Sequence, residues 1–550
     1  MEPRVSRGTL ALGLTLIFML LVAAAGSGRA DDPLTPLARN VIMMVPDGCS
    51  ISIQTLARWL QGTDLILDSL LTGAVRTHAA NSVITGSAAA ATAFSCGHKT
   101  TVGFLGIGPR TRDLLSTLEM PDTNVIERPL ASVLEGARLA GKSTGLVATC
   151  HITHATPAGF AAHVPNRGMF NDIMEQLVYS GIDVALGGGQ RYLLPGSQGG
   201  ERADGENLLA VLQARGIQVV KTGAEMAAVT GGRLWGLFQP GHLHPDIDRA
   251  ELAPHEPSLA EMTAKAIELL SADADGFFLL VEGSQVDWAG HTNDPVHMVT
   301  DFLAFDRAVR EAVEYAARDG RTLVLVFPDH DCGGLSIGSE YARVSYSSTT
   351  VENLLDPLRI MTLTAAGLAE KIGDDRSPQR IREMLAEYWE WQPEDAIIDR
   401  IIADDARVSL AQALSDAFSR HHTVLGWTTH GHTGEDVPLW TFGPGRPIGL
   451  VDNTELAHIA ARAMGFELEE ITGRLFVEAG QAFPGVEIEI DRSDRHNPVV
   501  VVGPARLPVN QNVLLLDGRT HLLEGVVIYI PATDRAYLPR QAVELIRERL

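Results

Sequence analysis

Four short apolar runs, separated by longer stretches with helical patterns, constrain the fold of this chain most. They occupy residues 40–45, 143–148, 277–281 and 322–327. Continuous runs of Val, Ile and Leu of this length are typical of parallel strands that are buried on both faces. Between the last two runs, apolar residues recur at helical spacing over 301–318, which predicts an amphipathic crossover helix. The alternation predicts an α/β fold with a doubly wound, mostly parallel sheet and helices on both faces.

Each of the four runs is followed by side chains that can bind a cation. These side chains are Asp47 after the first run, His151 and His154 after the second, Glu282 after the third, and Asp329 and His330 after the fourth. In open α/β sheets, ligands bind beyond the carboxyl ends of the strands. We therefore expect these side chains to converge on one site.

Two further stretches extend this set of donors. Residues 282–291 contain Glu282, Asp287 and His291 within ten residues, and His432 lies in a glycine-flanked loop. Oxygen and nitrogen donors without thiolates suit zinc together with magnesium. A single Asp or His is most often a helix cap or a solvated loop residue, so the prediction depends on their joint occurrence at strand ends.

The four cysteines do not add to this set, because they lack the C-x-x-C spacing of a cysteine metal site. Disulfide bonds and buried free thiols both remain open for Cys49, Cys96, Cys150 and Cys332.

Ser87 is the candidate nucleophile. It follows Thr85 and Gly86 and precedes an alanine-rich run with high helix propensity, which places it at the start of a helix. An ordinary N-cap serine is the alternative interpretation. Because no G-x-S-x-G motif surrounds Ser87, a bound metal ion is the expected means of activating its hydroxyl group.

The first thirty residues have the pattern of a signal peptide. Arg4 and Arg7 precede an uncharged run over 9–25, and small residues follow up to Ala30. A retained membrane anchor is the alternative. Cleavage after residue 30 would yield a soluble periplasmic or secreted protein that is not attached to a membrane.

The chain is strongly acidic, which narrows the classes of partner. The formal charge is -24, and loss of residues 1–30, which carry three Arg and one Glu, would leave about -26. Nucleic-acid binding is disfavoured because phosphate backbones are held by excess Lys and Arg. An anionic small-molecule substrate would need local positive charge, which bound cations can supply.

The sequence predicts a large catalytic part over 31–484 and a small β-rich appendage over 485–550. A helical insertion, with Trp389 and Trp391 in its middle, is expected at about 363–420, near the rim of the site. The appendage has short β-rich runs at 499–502, 513–516 and 526–530, and Asp517-Gly518 is a hairpin turn signal.

Several motifs together resemble the alkaline phosphatases, and they follow the order found in that family over about residues 40–466. The motifs are VPDG at Asp47, TGSAAAATAFSCGHKT around Ser87, HATPAGFAAHVPNR ending at Arg167, PSLAEMT at 257–263, VEGSQVDWAGH at 281–291, FPDH at Asp329 and His330, and HTGEDVP at His432.

The resemblance implies roles for individual residues. Asp287, His291 and His432 would hold one zinc ion, and Asp47, Asp329 and His330 would hold a second. Glu282 and Thr156 would join Asp47 around a third cation, normally magnesium, with His154 as a direct or water-mediated neighbour. Ser87 would attack a phosphate monoester and form a covalent phosphoserine, while Arg167 would bind two phosphate oxygens. Homodimers are usual among relatives, which makes a homodimer possible here.

Some positions depart from the family pattern. Many members have Asp directly before the nucleophile, where it orients the arginine, but this chain has Gly86. Arg167 is therefore expected to be held differently or to be more mobile. His154 stands where some relatives have Asp, and Trp288 stands where some have Lys. These changes leave the occupancy of the third cation site open.

Two alternative functions remain. A phosphodiesterase or a sulfatase of the same superfamily is one, although sulfatases need a C-x-P-x-R or S-x-P-x-R context that Ser87 lacks. Diesterases generally lack Arg167 combined with the Glu282 and Thr156 cation site. The other alternative is an exported protein that binds metal or phosphate without turnover.

Overall fold

The structure is a computed structural model that describes residues 36–116 and 123–550. The predicted signal peptide lies outside the described residues, so export and the periplasmic or secreted location stay predictions. Within the two described ranges, none of the helices has the length and apolar character needed to cross a membrane.

A ten-stranded sheet forms the centre of the molecule. Nine strands run in one direction, and Val437–Phe442 is antiparallel to both of its neighbours. In spatial order the strands are Gly449–Asp452, Leu71–Arg76, Val437–Phe442, Thr322–Val326, Asn40–Pro46, Phe277–Gly283, Ser143–His151, Val184–Gly188, Leu234–Leu237 and Gln218–Val220. This topology confirms the predicted doubly wound, mostly parallel sheet.

The four strands predicted from apolar runs are neighbours in the middle of the sheet. Asn40–Pro46 is buried along its whole length because both faces are covered. Ile42 and Met44 pack into the core on one face, whereas Val41 and Met43 pack into the core on the other. A strand with two buried faces needs apolar residues at every position, which is why continuous runs identified these strands.

Helices cover both faces and carry ordinary start signals. The predicted crossover helix is Pro295–Asp319, which begins with Asp294 capping its first turn and Pro295 at the first helical position. The other helices of the catalytic part are Ile51–Gln61, Ser87–Cys96, Val133–Leu139, Ala155–Ala158, Phe170–Ser180, Leu208–Ala214, Gly223–Ala228, Asp246–Leu252, Leu259–Leu270, Gln285–Thr292, Val351–Arg359 and Asn453–Met464.

The predicted helical insertion is present, and its two tryptophans are core residues. Its helices are Ala365–Ile372, Pro378–Trp389, Asp395–Asp405 and Leu410–His422. Trp389 and Trp391 are buried with their ring centroids 5.1 and 5.4 Å from that of Phe418. The indole N–H of Trp389 donates to the carbonyl of Leu363 at 2.8 Å. These contacts hold the insertion together and leave both rings away from solvent.

The C-terminal part consists of two small antiparallel sheets with their own core. The larger sheet contains Ile488–Asp491, Val499–Val502, Ala505–Pro508, Val513–Leu516 and Arg519–Leu522. The smaller contains Val477–Glu478, Arg535–Leu538 and Ile528–Ile530, and the helices Leu468–Leu475, Ala479–Ala482 and Arg540–Arg547 accompany them. Asp517 and Gly518 form the predicted hairpin turn with φ values of 51° and 72°. Val477–Glu478 pairs with Arg535–Leu538, so the C-terminal sheets include residues that precede position 485. The domain boundary at 485 stays a prediction.

Candidate active site

The carboxyl ends of the central strands bring the predicted donors together. Asp47 follows Asn40–Pro46, and Glu282 lies near the end of the neighbouring strand Phe277–Gly283. The register of these two strands pairs Val45 with Glu282. Asp329 and His330 follow Thr322–Val326, which flanks Asn40–Pro46 on its other side. Parallel strands end at one edge of the sheet, so side chains that are distant in sequence lie side by side there.

One group consists of Asp47, Asp329 and His330, whose potential ligand atoms all lie within 4.8 Å of one another. His330 Nε2 lies 3.0 Å from Asp329 Oδ2 and 3.8 Å from Asp47 Oδ1. The backbone N–H of Gly48 donates to Asp329 Oδ1 at 3.1 Å, which ties the loop after the first strand to this carboxylate. All three side chains are buried, so a cation bound here would be shielded from water.

A second group contains Asp287, His291 and His432, again within 4.8 Å of one another. The helix Gln285–Thr292 presents Asp287 and His291 on one face, because residues four apart are neighbours on a helix. The Nε2 atom of His291 lies 3.4 Å from Asp287 Oδ2, and the Nε2 atom of His432 lies 3.5 Å from Asp287 Oδ1.

Backbone carbonyls orient both imidazoles of this second group. The Nδ1 atom of His291 lies 2.6 Å from the carbonyl oxygen of His430, and that of His432 lies 2.9 Å from the carbonyl oxygen of Thr85. Each Nδ1 therefore carries a proton that it donates, which leaves the Nε2 lone pair for a cation. The two groups adjoin each other, since the rings of His330 and His432 stack with centroids 3.6 Å apart.

A third group lies around Glu282. Its carboxylate falls within 4.8 Å of Cys150 Sγ and of a ring nitrogen of His154, and the Cys150 thiol donates to Glu282 Oε2 at 3.2 Å. Thr156 lies on the short helix Ala155–Ala158, which packs against the strand of Glu282. Its hydroxyl is buried and has no hydrogen-bond partner within residues 36–116 and 123–550. Cys150 was not predicted here. Burial, followed by the charge of Glu282, raises the pKa of this thiol well above its ordinary value.

Ser87 is the first residue of the helix Ser87–Cys96, as predicted, and is 2% exposed. Its Oγ lies 3.4 Å from His330 Nε2, which places it beside the first group. The guanidinium of Arg167 is also close, with Nη1 3.5 Å from Ser87 Oγ. A hydroxyl group between a possible cation site and a guanidinium is suitably placed to attack a phosphate group.

The electrostatics of the site fit bound cations. Both carboxylate oxygens of Asp47, Oε1 of Glu282 and the hydroxyl of Thr156 are buried and have no hydrogen-bond partner among the described residues. Burial, followed by the charges of Asp329 and Asp287, raises the pKa of Asp47 well above its ordinary value. Burial also raises the pKa of Glu282 to about 7. Buried oxygen atoms that lack partners are costly, and divalent cations would satisfy them.

Four aromatic rings cluster beside Arg167, and this cluster was not predicted from the sequence. The ring of His242 stacks on His151 at 4.4 Å and meets Trp288 edge-on at 4.2 Å between centroids. His154 touches all three, with centroid distances of 5.5 to 5.8 Å. His242 lies in a loop between Pro240 and Pro245, and no sequence pattern links this loop to the site. Only the spacing of His151 and His154 after their strand gave a signal.

The four cysteines are free and buried, which resolves the open question about them. Cys332 lies within 4.8 Å of the ligand atoms of Asp287, His291 and His432, and the sequence offered no sign of this position. Burial raises the pKa of the Cys332 thiol far above its ordinary value.

Comparisons with known proteins identify the family that this chain resembles. Residues 38–466 match the family described as alkaline phosphatase. Alkaline phosphatase 3 of Bacillus subtilis is 33% identical over 452 residues, which cover 78% of this chain and 90% of the relative. The alkaline phosphatase of Escherichia coli is 33% identical over 361 residues, or 56% of this chain and 72% of the relative.

Solved structures show the same fold. The crystal structure of Thermus thermophilus alkaline phosphatase superimposes with a TM-score of 0.69 at 29% identity, covering 84% of this chain and 96% of that one. The cold-active alkaline phosphatase of a Shewanella species gives a TM-score of 0.64 at 28% identity, covering 77% and 98%. The chain therefore belongs to the alkaline phosphatase family, whose members are phosphomonoester hydrolases.

Proposed function

We propose that this protein hydrolyses small-molecule phosphate monoesters to an alcohol and inorganic phosphate through a covalent phosphoserine at Ser87. The observation that carries the proposal is the position of Ser87 Oγ, 3.4 Å from His330 Nε2 and 3.5 Å from Arg167 Nη1. Family membership supports the reaction class, and the convergence of the donors supports the metal dependence.

The donors fit two zinc ions and a third cation. Asp287, His291 and His432 would hold the first zinc, and Asp47, Asp329 and His330 would hold the second. The third cation, for which the resemblance implies magnesium, would be held by Glu282, Thr156 and Asp47. When bound, these cations would stabilise negative charge on the attacking and leaving oxygen atoms.

The chain's own residues account for the remaining steps. Arg167 would bind two phosphate oxygens and orient the phosphorus toward Ser87. Ser87 Oγ would then form a bond to phosphorus while the bond from phosphorus to the alcohol oxygen breaks, and the alcohol leaves with a proton. Attack of water on the phosphoserine would release inorganic phosphate and restore the serine hydroxyl. Because the alcohol portion has no part in these contacts, we expect broad tolerance of monoesters.

A comparison of monoester and diester hydrolysis tests the reaction class. We expect p-nitrophenyl phosphate to be hydrolysed at least about a hundredfold faster than bis-p-nitrophenyl phosphate, because the second ester group occupies an oxygen that Arg167 would bind. An acid quench during turnover should trap a phosphoserine that peptide mapping assigns to Ser87. Equal rates for both esters would favour the phosphodiesterase alternative, and metal binding without turnover would favour the binding protein.

The affinity of the metal-free protein for zinc is expected to rise with pH up to about 9. A hydrogen bond with Asp287 raises the pKa of His291 to about 9, so this imidazole is protonated at neutral pH when no cation is bound. Zinc must displace that proton to bind. The apparent affinity of the protein for zinc therefore falls about tenfold for each pH unit below this pKa. Competition titrations with a chelator at pH 7, 8 and 9 would measure the slope.

The replacement His291→Ala provides the control for this pH dependence. It should weaken zinc binding and lower the slope by about one proton, because the displaced proton is then absent. A wild-type affinity that does not change between pH 7 and 9 would contradict the assignment of His291 as a ligand.

A further inference from the structure

Arg167 has no acidic partner in the described part of the chain. Among residues 36–116 and 123–550, its guanidinium forms no ion pair with a carboxylate, and its side-chain hydrogen bonds go to Ser87 Oγ and His154 Nε2. The residue before the nucleophile is Gly86, so the position from which many relatives orient the arginine has no side chain. A guanidinium on a flexible stem that must bind phosphate in a fixed orientation needs some other partner.

His154 supplies that partner. Nη2 of Arg167 lies 2.9 Å from Nε2 of His154, while Nη1 of the same guanidinium lies 3.5 Å from Ser87 Oγ. A guanidinium only donates hydrogen bonds, so Nε2 must be the acceptor, and the neutral ring then carries its proton on Nδ1. This arrangement leaves no lone pair on Nδ1 for a cation. Nδ1 is buried without a hydrogen-bond partner among the described residues, so its N–H is free to donate to a water molecule at the third cation site.

The imidazole of His154 is itself held in place by other rings. Trp288 and His242 lie 5.8 Å from it between centroids, and His151 lies 5.5 Å from it. Trp288 belongs to the helix that carries Asp287 and His291, and His151 ends a central strand. The orientation of His154 is therefore fixed by the same elements that position the donors of the site.

We infer that His154 is a positioning residue that accepts a hydrogen bond from Arg167 and directs its guanidinium at a phosphate group bound over Ser87. The inference rests on the proposed function and adds a residue to it. A neutral acceptor fixes one edge of the guanidinium without neutralising its charge. The remaining N–H groups stay available for phosphate oxygens.

The first experiment measures the affinity for inorganic phosphate of the zinc-loaded protein and of two variants. Gln can present an amide oxygen close to the position of Nε2, whereas Asn is too short to do so. His154→Asn is expected to weaken phosphate binding by about tenfold and to raise KM more than it lowers kcat, because a hydrogen bond to a charged group is lost. His154→Gln should retain most of the affinity. Equal losses in both variants would overturn the inference.

A double-mutant cycle separates this role from one that acts through the third cation. If His154 acts only through Arg167, then His154→Asn should cause no further loss of phosphate affinity in an Arg167→Ala background. An undiminished effect in that background would overturn the inference and assign His154 to the cation site. All affinities are compared at saturating zinc and magnesium, and the metal content of every variant is measured, so that a weaker third cation site does not enter the comparison.

Gly86 offers a rescue experiment. Its backbone is extended, with φ of -122°. Apart from its chain neighbours, the described residues bring only His432 Cε1, at 4.0 Å, near the position of a Cβ atom, so a larger residue fits. Gly86→Asp combined with His154→Asn should restore phosphate affinity by supplying a new acceptor for Arg167. Gly86→Ala combined with His154→Asn is the matched control and should restore nothing.

The outcomes also distinguish this inference from the proposed function. A wild-type protein that neither binds phosphate nor hydrolyses monoesters would refute the proposed function itself. A wild-type protein that does both, but in which His154→Asn leaves phosphate affinity unchanged, would refute only the positioning role.

Discussion

Replacing Ser87 by alanine is expected to lower kcat/KM for monoester hydrolysis by at least about a thousandfold, because the covalent step has no other nucleophile. The bound cations should stay at the wild-type level, since Ser87 Oγ contacts His330 and Arg167 without belonging to any of the three groups of donors. Steady-state kinetics and elemental analysis of the same preparation would test both statements. No phosphoserine should be trapped in this variant.

Ser95→Ala provides the control for this experiment. Ser95 lies two turns further along the same helix, and its buried hydroxyl donates to the carbonyl of Gly159. Ser95→Ala removes a buried hydroxyl of the same size, so it shows how much the loss of such a group lowers the stability of the protein. Its rate of hydrolysis per folded molecule should be close to that of the wild type. A Ser87→Ala variant that keeps a tenth or more of the wild-type rate would contradict the proposed mechanism.

Replacing Asp329 by alanine is expected to remove one bound cation and to lower kcat/KM by at least about a thousandfold. The carboxylate is a proposed ligand, and it also accepts hydrogen bonds from the backbone N–H groups of Gly48 and His330 at 3.1 and 3.0 Å. Its loss would therefore remove a ligand and release the loop that holds Asp47 and His330 in place. Elemental analysis after dialysis should show about one zinc ion fewer per chain.

Asp331→Asn is the matched control for Asp329→Ala. Asp331 is buried two residues further along and accepts a hydrogen bond from Thr433 at 3.0 Å. It belongs to none of the three groups of donors, so this variant should keep its full cation content. Asp329→Ala protein with the wild-type zinc content and rate would exclude Asp329 as a ligand.

The central strands were predictable because their burial leaves a direct trace in the sequence. Asn40–Pro46 and Phe277–Gly283 are covered on both faces, so every position is buried and the apolar run is continuous. Edge strands such as Gln218–Val220 are short and partly exposed, and they leave no comparable pattern. The helix Pro295–Asp319 was recognised from its apolar stripe, but its first six residues were missed because caps, not periodicity, define where it begins.

The convergence of the candidate site residues was expected for two reasons, one from the strand pattern and one from the family resemblance, and their roles as ligands stay predictions. Asp47, Glu282, Asp329 and His330 follow or end buried strands, and parallel strands must bring such residues to one edge. His432 and Arg167 lie in loops that no periodicity describes, so only their match to the family motifs identified them. Their grouping into separate cation sites likewise came from the resemblance.

The sequence by itself therefore determined the α/β class, the central strands and the edge of the sheet at which the chemistry would lie. Burial patterns and strand direction are local or nearly local properties, so they can be read along the chain. Only the tertiary structure decided what fills the space around those residues. It placed Cys150 beside Glu282, His242 against Trp288, and His154 within 2.9 Å of Arg167. Such contacts join residues from separate loops, and their partners are set by how the elements pack rather than by any spacing in the sequence.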